Sequence, residues 1–215
     1  MSGHATKEEM QLAKQLASSL DLTRSPTDQL LRLGQLYIEP LHQEPTAIKI
    51  FEAVLSREPD NVWGIYWLSY CCVHYLMAKP ALLRAQALLE SFVSYQPRAS
   101  GALYALLAEV LHDLDFADGL GNRSLSRETD LLEESVQLEP TWIANRIGLA
   151  WAYERAGSIE SAIRQLERAK QNIIQPDPTW DLNRYYFEVI VTSRIGSNVA
   201  SMLHGWLDRL RAMAT

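Results

Sequence analysis

The stretch Pro140–Ile174, PTWIANRIGLAWAYERAGSIESAIRQLERAKQNII, decides the fold. Leu149-Ala150 and Tyr153 make one apolar stripe, Gly157 interrupts it, and Ala162, Leu166 and Ala169 make a second. Steps of three and four residues put side chains on one face of a helix, and a glycine between two such stripes marks a turn. Small residues facing large ones let two helices approach closely. The stretch therefore predicts two antiparallel helices joined at Gly157.

The same rhythm extends in both directions. Upstream, Ala47, Phe51, Val54 and Pro59 fall at steps of four, three and five, preceded by Leu33-Gly34 and Tyr37. Next come Leu68-Ser69 and Cys72, then Ala85, Leu89, Phe92 and Pro97 at the same steps, with a longer turn around Met77–Leu82. A third unit has Leu107-Ala108 and Leu111, then Leu132, Ser135 and Pro140. Glu128 stands where a small alanine is expected, and a polar insertion runs from about Asp113 to Arg127. Downstream of the clear unit, Trp180–Ile195 and Val199–Met213 flank Gly196-Ser197-Asn198 as a weaker pair. Ala5–Leu20 predicts a helix at the other end, and Ser25-Pro26-Thr27-Asp28 a helix start.

Large residue, Leu-Gly or Leu-small pair, Tyr, Ala, Phe and a closing Pro within about 34 residues is a pattern that resembles the tetratricopeptide repeat. The resemblance covers residues 27–175 well and 180–213 loosely. It implies an all-α, right-handed α-α solenoid. A capping helix would occupy residues 1–24 and a repeat domain residues 25–215, with units at about 27–59, 60–97, 98–140 and 141–176 and a degenerate pair at 178–215. Terminal units of such arrays carry one polar outer face.

Composition bounds the function. Of the 215 residues 47% are hydrophobic and 21% charged, which suits a folded chain. The net charge of −6 and the scatter of Lys and Arg argue against a nucleic-acid partner, which would favour a basic stripe. No apolar run is long enough to span a membrane, and Met1–Leu20 has no apolar signal core. Cys71 and Cys72 are neighbours, about 100° apart around a helix, so a disulfide between them is not expected. A reducing, cytoplasmic setting follows as the expectation.

Trp63, Tyr66, Trp67, Tyr70 and His74 are the main binding candidates, since their spacing puts all five on one side of one helix. In the repeat family first helices line a concave groove, and corresponding offsets select Tyr104, Trp151 with Arg155, and Tyr186 with Arg194. Such a groove would offer rigid aromatic anchors and two arginines for carboxylates. The competing reading is that the stripe is core. If Trp67, Tyr70 and Trp151 are anchors, each exposes part of its ring in the free protein.

Other chemistry finds little support. Asp113, Asp115, Asp118 and Gly119 suggest a calcium loop, but the spacing is wrong and Glu128 comes too late to close it. The insertion instead predicts a solvated, poorly protected loop. None of the five histidines forms a metal-binding pair within one helix, no phosphate loop or nucleophile elbow occurs, and no cofactor or catalytic set is expected. Leu31 and Gln35, then Tyr66 and Tyr70, occupy the offsets where some repeats place a Lys and Asn carboxylate clamp, so that chemistry is absent. The expectation is a non-enzymatic module that binds a protein or peptide, as an adaptor or scaffold. A dedicated chaperone for one partner and a self-associating structural subunit, forming a homodimer, are the alternatives.

Overall fold

A computed structural model describes residues 7–38, 41–97, 100–174 and 199–214. Ten α-helices appear among them: α1 Lys7–Ser19, α2 Thr27–Ile38, α3 Glu44–Arg57, α4 Val62–Cys71, α5 Lys79–Tyr95, α6 Gly101–Ala117, α7 Leu125–Leu138, α8 Ile143–Arg155, α9 Ile159–Ile174 and α10 Val199–Met213. A π-helical turn, Cys72–Leu76, extends α4. No strand occurs among the described residues. The fold is an all-α solenoid of helix pairs. The chain divides into two compact units, Met1–Tyr95 and Gln96–Thr215, between the second and third pairs.

In the first unit α2 pairs with α3 and α4 with α5, and α1 lies against α2, burying Ala13. The first pair closes because a small residue of α2 meets a large one of α3. Gly34 of α2 shows how closely: a Cβ there would stand 2.4 Å from the Phe51 ring of α3. Phe51, Ala47 and Val54 are all fully buried, as the steps of four and three require. The next helix starts cleanly because the Asn61 side chain accepts a hydrogen bond from the Gly64 amide at 2.8 Å.

In the second unit α6 pairs with α7 and α8 with α9. Leu149, Ala150, Ala162, Leu166 and Ala169 are buried, and Gly157 takes the left-handed turn with φ 74°. Leu203, Leu207 and Leu210 of α10 complete the same core. Glu154 fixes α10 from α8: it accepts from Trp206 Nε1 at 2.7 Å and pairs with Arg209 at 2.5 Å. That Arg209 hydrogen bond holds the Glu154 carboxyl below its usual range. The helix Val199–Met213 of the degenerate pair is thus present, whereas Trp180–Ile195 lies outside the described residues.

Two prolines that close repeats do more than end helices. Tyr104 donates its hydroxyl to the Pro97 carbonyl at 2.7 Å, and Arg146 donates Nε to the Pro140 carbonyl at 2.8 Å. Both donors stand three residues before a Leu-Ala pair, Leu107-Ala108 and Leu149-Ala150. A proline carbonyl left without a helical partner is thereby satisfied from the following helix.

Candidate functional site

The aromatic helix α4 is core rather than surface. Trp67 is 0% exposed, and Tyr66 and Tyr70 are also buried, while Trp63 and His74 are half-buried. Trp67 stacks on Phe51 of α3 at 6.4 Å and meets the edges of Tyr66 and Tyr70 at 5.1 and 5.4 Å. The expectation that Trp67 and Tyr70 each expose part of a ring is corrected. The reason lies in the helix's own composition: VWGIYWLSYC carries no charged residue, and Gly64 to Cys71 are all buried. A helix that is apolar all round belongs in the interior.

The π-helical turn closes the remaining side. It breaks the regular spacing after Cys71, so both His74 and Tyr75 reach the Tyr70 ring, at 4.1 and 6.1 Å. It ends at Met77, a non-glycine residue in the left-handed region with φ 50°. The lengthened connection expected around Met77–Leu82 is therefore shared between this turn and extra residues at the start of α5. Cys71 and Cys72 are free and buried, and burial raises both thiols.

In the second unit the arrangement is reversed. Trp151 of α8 is 42% exposed. The Arg155 guanidinium lies over its ring, 4.2 Å from the centroid, and His112 of α6 meets it edge-on at 4.5 Å. Arg155 keeps only 13% of its side chain exposed. It pairs with the buried Glu128 of α7, donates to His112 Nδ1 at 2.7 Å and to Asn122 Oδ1 at 3.2 Å. Glu128 thus occupies an alanine-like slot because a guanidinium from the next helix pair neutralises it there. Arg155, expected to present itself to a partner carboxylate, instead faces inward and supports Trp151.

The insertion is shorter and better anchored than its polarity suggested. Helix α6 continues to Ala117 and α7 begins at Leu125, leaving 118–124 as the connection. Asp115 is buried and accepts from the Ser124 amide at 2.5 Å and its hydroxyl at 3.1 Å, clamping both ends. Gly119 and Gly121 take the positive φ the turn needs, 67° and 66°. Phe116, the one aromatic residue of the stretch, is 81% exposed. Tyr104 turns its hydroxyl to Pro97 rather than outward. Tyr186 and Arg194 lie outside the described residues.

No three His, Cys, Asp or Glu side chains come together as a metal set among the described residues. None of the described helices is long and apolar enough to cross a membrane.

No protein-family model matches the chain, and no curated protein matches it in sequence. Solved structures do match. TTC0263, a thermophilic tetratricopeptide-repeat protein of Thermus thermophilus, is similar with a TM-score of 0.56 and 23% identity, over 67% of this chain and 73% of that one. The 41-end portion of MamA from Desulfovibrio magneticus RS-1 gives a TM-score of 0.56 at 18% identity, over 80% and 89%. MamA AMB-1 gives 0.53 at 21%, over 77% and 89%. At these identities the likeness is one of fold, and the fold is that of the tetratricopeptide repeat.

Proposed function

We propose that the protein is a non-enzymatic interaction module, of the adaptor or scaffold kind, and that Trp151 is its principal anchor for a segment of another protein. The half-exposed Trp151 ring carries this reading. A large apolar ring at the surface normally costs stability or solubility, yet this one is held in a fixed pose by Arg155 and His112. A ring already immobilised loses little entropy when a partner covers it, which is what binding hot spots exploit. Both terminal nitrogens of Arg155 are engaged within the unit and its Nε is buried, so the anchor favours an apolar side chain over a carboxylate.

Selection of short random peptides on the immobilised protein tests the proposal. Selected peptides should bind Trp151→Ala about tenfold more weakly or worse, a loss of about 1.4 kcal/mol or more, with the unfolding transition little changed. Peptides that bind both proteins equally would sink it.

A further inference from the structure

The Trp151 support contains a titratable element that the binding proposal does not use. Arginine has no acceptor, so the 2.7 Å contact between Arg155 and His112 Nδ1 requires the imidazole lone pair at Nδ1 to accept. The histidine must then be neutral, with its proton on Nε2. The same Nδ1 stands 3.9 Å from Glu128 Oε2, the oxygen that pairs with Arg155. The other carboxylate oxygen, Glu128 Oε1, is buried without a hydrogen-bond partner among the described residues, as is Arg155 Nε.

We infer that His112 is a positioning residue that sets the pose of Trp151 through Arg155, and that its protonation releases that pose. A proton taken from solvent onto Nδ1 removes the only acceptor Arg155 finds on the imidazole and places two cations in contact. Glu128, with an oxygen to spare, then accepts from the new N–H, which competes with Arg155 for the same carboxylate. Arg155 withdraws from the Trp151 face, and the ring loses the support on which the proposed anchor rests. Histidine is the side-chain type that serves as a proton switch, so the anchor is held while His112 is neutral and loosened once it takes a proton.

The charged and polar groups that face His112 are Arg155 from α8, Glu128 from α7, Asn122 from the connecting loop and Asp113 beside it on α6. Asp113 is the rival for any titration seen here. Burial raises its carboxyl, a charged His112 lowers it, and Glu128 raises it.

The test needs no partner, so its failure is distinct from failure of the binding proposal. The indole N–H resonance of Trp151 is identified in the full chain as the one missing from Trp151→Phe, then followed from pH 8 to pH 5. It should move in one titration step, still move in Asp113→Asn, and stay flat in His112→Gln, whose amide oxygen accepts from Arg155 without titrating. A flat signal in the unaltered protein, or a step that persists in His112→Gln, overturns the inference. Should His112→Gln fail to fold, the ring-carbon resonances of His112 replace it. Coincident midpoints for His112 and Trp151 support the proposal, and separate midpoints refute it.

Discussion

Tyr70 and Trp151 hold the same place in their repeats, each directly after the small residue of its pair, Leu68-Ser69 and Leu149-Ala150. Yet Tyr70 is buried and Trp151 is half-exposed. The difference comes from their neighbours. Helix α4 is apolar on every side, and the π-helical turn folds His74 and Tyr75 over Tyr70. Helix α8 is mixed, with Arg146, Glu154 and Arg155 along it, and the Arg155 guanidinium and His112 edge beside Trp151 leave its ring 42% exposed. Repeat register therefore says where a residue sits on its helix, and local composition says whether anything covers it.

The largest expected effect is on the buried side of that contrast. Trp67→Ala removes a fully buried indole from against Phe51 and should cost about 3–5 kcal/mol, read from urea unfolding of the full chain. A cost below about 1 kcal/mol would mean that α4 is not core. Glu128→Ala should cost about 3 kcal/mol, because it leaves Arg155 as a largely buried charge without its anion. Glu128→Ala with unaltered stability would show that the guanidinium finds water instead. Gly34→Ala sets a Cβ against the Phe51 ring and should cost about 1–3 kcal/mol. Gly157→Ala meets no neighbour, so only the φ of 74° opposes it, and about 1 kcal/mol is expected in the same assay. A clearly larger cost at Gly157 than at Gly34 would contradict the distinction between a close approach and a strained turn.

The helix pairs are legible in the sequence because their signal is local. Ala47, Phe51 and Val54, and again Ala162, Leu166 and Ala169, have spacing that fixes a buried face, and Gly157 marks a turn by its own geometry. The π-helical turn is not legible, since CVHYL has nothing that separates it from an ordinary helical turn. The insertion reads longer than it is because Asp113 and Asp115 look like loop residues, although α6 runs on to Ala117. The hydrogen bonds from Ser124 to Asp115 come from nine residues away. Glu128 is visible as a misfit, but its explanation, Arg155, is 27 residues further on. Spacing alone places Trp67 and Trp151 alike on a helix face and does not separate anchor from core; of the two, Trp151 is the one partly exposed.

The most direct test of the account is the unfolding free energy of Trp151→Ala beside that of Trp67→Ala, in the same buffer and with the peptide-binding assay run on both. A surface anchor predicts a loss of less than about 1 kcal/mol for Trp151→Ala together with at least about tenfold weaker peptide binding. A loss of about 3 kcal/mol or more, matching Trp67→Ala, would show that Trp151 is core and that the proposed anchor does not exist.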